Sequence, residues 1–156
     1  MKINIVTVGN LKEKYLVEAA KEYLKRLSRY HTVSVIEIEE EKLPKNYSEA
    51  DISKALVREG QRIEKYLSGY VIILDLQGKQ LDSVEFSKTI ERIALSSDTI
   101  TFVIGGSYGM SAEVKSRAAM SVCFSKMTFP HQLFRIMLLE QIYRATAISN
   151  NILYHK

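Results

Sequence analysis

Two short stretches decide how this chain folds: YVIIL, Tyr70–Leu74, and ITFVI, Ile100–Ile104. Neither alternates apolar with polar residues, and both are too short to be helices. An apolar run of this length reads as a strand buried on both faces, which is the mark of a parallel sheet. Between them, residues 83–95 carry a helical apolar pattern opened by the capping pair Asp82-Ser83. The same alternation extends in both directions. Strands are expected at Ile3–Val8 and Thr32–Ile36, with helices at about 12–29 and 48–66. Towards the carboxyl end come a short helix at about 111–118, a last strand near Met120–Phe124 and a long helix after Pro130. The run Leu76-Gln77-Gly78-Lys79 reads as a turn. Strands alternating with helices give an α/β fold, a parallel-type sheet covered by helices on both faces. With no internal repeat or linker, residues 1–156 read as one domain.

Composition narrows the function classes. The chain of 156 residues is 46% hydrophobic and 26% charged, ordinary for a soluble globular protein. No apolar run is long enough to span a bilayer, and MKINIVTVGN reads as a first strand rather than a signal peptide. The single cysteine, Cys123, excludes an intrachain disulfide and reads as a buried side chain. His31, His131 and His155 are scattered without metal-ligand spacing, so no metal is expected. The expected location is the cytoplasm. The net charge of +4 is unevenly spread. Lys14, Lys21, Lys25 and Arg29 fall on one side of the first helix, either a solvated face or a footprint for phosphates.

Ligands of open α/β sheets bind beyond the carboxyl ends of the strands. Three segments stand there: Leu74 to Gly78, Ile104 to Gly109 and Phe124 to Phe129. Gly105-Gly106-Ser107-Tyr108-Gly109 is either a tight turn or a binding loop, and Asp75 either a turn residue or a ligand contact. His131, at a helix start, is either a cap or a pocket residue. The terminal helix is apolar nearly all round, from Leu133 to Tyr143, so it needs cover on more than one side. The sheet is one cover and a second subunit the other. Glu140 and Arg144 form an i, i+4 pair on it, structural or functional. The tail Leu153-Tyr154-His155-Lys156 is either frayed or part of a site.

Taken together, LDLQGK, FVIGGSYG, FSKMTFPHQLFRIMLLEQIYRA and the terminal YHK resemble the RlmH family of SPOUT-class methyltransferases. The resemblance runs over essentially the whole chain, including KINIVTVG and EGQRI at Glu59–Ile63. It implies a deep trefoil knot near the carboxyl end, over about residues 70–156, a homodimer, and S-adenosyl-L-methionine held in the knot. The family's cofactor positions fall on Leu74, Gly105, Phe124, Ser125, Lys126, Met127, Thr128 and Phe129. The implied reaction is methylation of N3 of a pseudouridine in large-subunit ribosomal RNA, on assembled ribosomes.

That chemistry needs alignment of the nitrogen with the methyl carbon and help in losing the N3 proton. The candidates are His155 as base, Arg144 as charge stabiliser and Tyr154 beside them. Relatives often end Tyr-His-Arg, and Lys156 keeps the charge without the planar fork. The tail is expected to act across the dimer. The competing reading is a non-catalytic ribosome- or RNA-binding module that retains the pocket.

Overall fold

The computed structural model describes all of residues 1–156. Ten elements alternate along it: β1 (Lys2–Val8), α1 (Lys14–Leu27), β2 (Thr32–Ile38), α2 (Glu49–Glu64), β3 (Tyr70–Gln80), α3 (Ser83–Ala94), β4 (Thr99–Ile104), α4 (Ala112–Ser116), β5 (Met120–Cys123) and α5 (His131–Ser149). The sheet runs β2-β1-β4-β3-β5, and every pairing is parallel. The expected α/β architecture is what forms.

The two-sided apolar strands have a direct physical reason. Ile72, Leu74, Ile100, Phe102 and Ile104 point into one core, beneath α1, α3 and α5. Val71, Ile73 and Val103 point into a second core that includes Ile63 and Val114 from α2 and α4. All six residues of β4 are buried. Capping begins α3 at the expected Asp82, and a second cap, at Ser48, opens α2. Ser48 and Asp82 each accept from the backbone three residues on, and Asp51 and Glu85 reciprocate.

One expectation fails instructively. The Leu76–Lys79 run is not a turn that ends the strand; β3 continues through it to Gln80. Beside β5 the register slips, with Val122 opposite both Leu74 and Lys79, so the residues between them are pushed outward. Gly78 permits this, because a Cβ there would lie 2.6 Å from the Val122 amide nitrogen. Smaller differences lie at element ends: β2 runs on to Ile38, and β5 stops at Cys123, leaving Phe124 to begin the next loop.

The terminal helix α5 buries Ile136, Leu138, Leu139 and Ile142. Its cover within the chain is the sheet together with α1 and α3, so much of the area assigned to a second subunit is already occupied. Arg135, 4% exposed, ties its amino-terminal part to the sheet. It donates to Glu37 at the end of β2 (2.8 Å) and to the Gly9 carbonyl after β1 (3.0 Å).

At the other end of α5, His31 contacts Thr146, Nε2 to Oγ1 at 3.0 Å. The Thr146 hydroxyl donates to the Ile142 carbonyl, so its oxygen accepts from His31 Nε2–H. His31 Nδ1 is then buried without a partner. Burial, and secondarily the amino-terminal ammonium, hold the imidazole below its ordinary pKa. Below about pH 6.5 the unfolded chain therefore binds more protons at this residue than the folded one, and acid favours unfolding. The predicted signature is a His31→Gln variant whose stability deficit relative to wild type narrows from pH 8 to pH 5. Urea unfolding midpoints at the two pH values measure it, and a constant deficit would contradict the assignment.

Candidate active site

A cavity of about 210 Å³ opens at the carboxyl ends of β3, β4 and β5. It is built by the three segments named above, which the sheet order makes neighbours. Leu74, Asp75 and Leu76 form one wall, Ile104, Gly105, Gly106, Ser107 and Gly109 the second, and Phe124, Ser125, Met127, Thr128 and Phe129 the third. Met110, Lys115, His131 and Phe134 complete it. The glycine segment is a tight turn and a cavity wall at once. Gly109 has φ +88°, and a Cβ on Gly105 would meet the Gly109 carbonyl oxygen at 2.5 Å. The third wall rests on an aromatic chain running out of the core. Phe102, Phe86, Phe124 and Phe134 follow one another, the last pair edge-to-face at 4.9 Å. Ser125 Oγ accepts from the Met127 amide at 3.0 Å and shapes the loop. The Cys123 thiol donates to the Ser125 carbonyl at 3.1 Å, a structural use of a buried cysteine.

Of the residues expected around a cofactor, Leu74, Gly105, Phe124, Ser125, Met127, Thr128 and Phe129 line this cavity, while exposed Lys126 does not. His131 lines it rather than capping α5, whose N-cap is Pro130. Lys115 and Phe134 escaped the sequence reading. A lysine on a short helix looks like any solvated charge, and Phe134 looks like core.

Tyr154, His155 and Arg144 come together, but elsewhere. All three gather on or beside Glu140. Arg144 Nε donates to Glu140 Oε1 at 3.0 Å, and the Tyr154 hydroxyl donates to the same oxygen at 3.0 Å. Arg144 Nη1 lies 3.2 Å from His155 Nδ1, and its guanidinium sits over the Tyr154 ring at 4.7 Å. Tyr154 also packs edge-to-face on Tyr143. Burial first, then hydrogen bonding with Tyr23 and Glu140, push the Tyr154 hydroxyl far above its ordinary pKa. It is a donor at neutral pH, not a base. Hydrogen bonding to Glu140 likewise raises the Arg144 guanidinium, which keeps its charge.

The tail reaches this cluster because α5 ends in a Schellman turn. Asn151 takes φ 54°, the Ile152 amide donates to the Ala147 carbonyl (2.8 Å), and the Asn151 amide to Ile148 (3.2 Å). The chain reverses and lies back along its own helix. Glu140 and Arg144 line a second cavity of about 670 Å³ with Tyr23, Phe86, Ile136 and Met137. The two cavities share Val122, Phe124, Ser125 and Phe129, so the loop after β5 is the partition between them.

A family model described as a predicted SPOUT methyltransferase matches residues 1–155. The chain belongs to the RlmH family of SPOUT methyltransferases. It is 52% identical to the ribosomal RNA large subunit methyltransferase H of Clostridium kluyveri, 51% to that of Clostridium tetani and 49% to that of Leuconostoc mesenteroides. Each alignment covers 100% of both chains. Two solved structures share the fold at low identity. The tRNA (m1G37) methyltransferase of Aquifex aeolicus is 13% identical with a TM-score of 0.52, over 92% of this chain and 70% of that one. A "probable methylase family protein" of Haemophilus influenzae is 15% identical with a TM-score of 0.56, over 99% of this chain and 70% of that one. The fold is accordingly the α/β knot, a threading that general rules of chain topology would exclude. No helix is long and apolar enough to cross a membrane, and no three His, Cys, Asp or Glu side chains cluster as metal ligands.

The tail geometry makes a prediction of its own. Glu140→Ala leaves Arg144 without its anion and the Tyr154 hydroxyl without its acceptor. Amides of residues 152–156 should exchange with deuterium about tenfold faster, as expected for the loss of charge-assisted hydrogen bonds. Core amides of β4 should be unaffected. Unchanged tail exchange would show that Tyr143 packing alone holds it.

Proposed function

We propose that this chain is an S-adenosyl-L-methionine-dependent methyltransferase that acts on N3 of a pseudouridine in large-subunit ribosomal RNA. The supporting observation is the single cavity built by all three strand-exit segments, in a chain about half identical over its full length to large-subunit rRNA methyltransferases. The substrate is met on assembled ribosomes in the cytoplasm, and the working unit is a homodimer.

The lining suits a nucleoside-type cofactor. Apolar and aromatic surface from Met110, Phe124, Phe129 and Phe134 would hold a flat base, and the backbone of the loop after β5 offers hydrogen bonds to its edges. Lys126, exposed and off the lining, contributes through its main chain only. When bound, S-adenosyl-L-methionine supplies a methyl group already activated on a sulfonium, so no protein nucleophile is required. What the chain must do is hold the target nitrogen in line with that methyl and favour departure of the N3 proton.

Three groups divide that work. Arg144 stabilises the developing N3 anion, His155 accepts the proton, and Tyr154, its hydroxyl proton committed to Glu140, packs under the guanidinium and holds it in place. Arg144 lines the cavity beyond the partition, and Tyr154 and His155 lie against it, so none of the three faces its own chain's cofactor cavity. That placement supports a tail that serves the partner subunit's cofactor. The second cavity, lined in part by half-buried Tyr23, Leu81 and Met137, offers the docking face.

The experiment is methyl transfer to ribosomes that lack the modification, read by mass mapping of the rRNA. The expected result is one methyl group on one pseudouridine. An unmodified rRNA would refute the assignment. A chain lacking Tyr154–Lys156 should bind the cofactor normally and lose turnover by at least about a hundredfold, the usual scale for general acid–base groups. Mixed dimers of this truncation with Gly105→Ala should regain part of the activity if the tail works across the interface. Activity no higher than that of either parent would place tail and cofactor in the same subunit.

A further inference from the structure

Asp75 and Lys115 are the charged pair of the cofactor cavity. They belong to different walls and meet at its rim, Lys115 Nζ to Asp75 Oδ2 at 3.2 Å. Asp75 lies in the segment that the β3–β5 slip pushes outward, and Lys115 on α4. A partly exposed ion pair contributes little to stability. Its placement asks for another reason.

The acceptor capacity of Asp75 supplies one. Oδ2 faces Lys115, and Oδ1 accepts the Gln77 amide at 3.3 Å. A carboxylate has about four lone-pair sites, which leaves roughly two unused. Its side chain is 19% exposed, enough to be reached and too little for free rotation into solvent. The Gln77 contact and Lys115 together fix where the remaining acceptors point. Elsewhere the cavity is lined by Phe124, Phe129, Phe134 and Met110, surface for a flat base. A ligand that satisfies both parts has an apolar ring at one end and paired neutral donors at the other.

We propose that Asp75, aimed by Lys115, accepts the two hydroxyl hydrogens of the cofactor's ribose diol. The inference rests on the methyltransferase reading and adds a recognition residue to it. A diol fits the pair better than the charged end of the methionyl group. Lys115 already neutralises Asp75, so a second cation gains little there, and an incoming carboxylate would have to displace Asp75 from Lys115. Hydroxyl donors need only the free lone pairs and leave the ion pair standing. Lys115 is a positioning residue on this account.

The test is calorimetric and independent of turnover. Wild type, Asp75→Asn and Lys115→Met are titrated with three ligands: S-adenosyl-L-methionine, 5′-methylthioadenosine and its 2′,3′-dideoxy analogue. Asp75→Asn should weaken the first two by a similar factor of at least about ten, the scale of hydrogen bonds to a charged group. Its affinity for the dideoxy analogue should match wild type. Lys115→Met should show the same pattern with a smaller factor. Equal losses for diol and dideoxy ligands would overturn the proposal, as would a loss confined to S-adenosyl-L-methionine. Failure of the wild type to bind S-adenosyl-L-methionine would remove the methyltransferase reading itself. Wild-type binding of all three ligands with no preference for the diol would remove this inference alone.

Discussion

The close passage of β5 beside β3 is the contact on which the carboxyl half depends. Val122 serves both Leu74 and Lys79, and only a glycine at 78 lets the backbones come that near. Three consequences follow from one slip. Asp75 and Leu76 reach the cavity wall, Phe124 lines the same cavity as Gly105, and the loop after β5 becomes a wall shared by two cavities. A regular turn at Leu76–Lys79 would have produced none of them.

The rest of the sheet supplies rigidity to that contact. Apolar residues on both faces of β3 and β4 engage two separate cores, so neither strand can shift without disturbing both. The phenylalanine chain from Phe102 to Phe134 carries this rigidity out to a loop that would otherwise have little to hold it. Arg135 anchors the start of α5 from the opposite side, through Glu37 and Gly9. A cavity wall built this way is preformed, which suits a site that must align a reacting pair.

The tail shows a different economy. Helix α5 is long and apolar because it is covered by the sheet, α1 and α3, yet Glu140 and Arg144 stay near its surface. The Schellman turn at Asn151 directs the last residues back to that pair. Glu140 thereby orders a cation, a phenol and an imidazole with one carboxylate. The spacing of Glu140 and Arg144 leaves structure and function both open, and the hydrogen bonds show the structural role: the pair holds the tail against its helix.

The sequence alone determined the layered α/β architecture, because hydrophobic periodicity and helix caps are local signals. Apolar runs at Tyr70–Leu74 and Ile100–Ile104 and the cap at Asp82 needed no distant partner to be read. It also marked the three strand exits that line the cavity, since a parallel sheet fixes where its loops gather. The tertiary structure alone decided the strand order, the slip at Gly78, the pairing of Asp75 with Lys115 and the gathering of the tail on Glu140. Each of these joins residues far apart in the chain, or depends on how closely two backbones approach. Hydrophobic pattern carries no record of such distances; packing of the whole chain sets them.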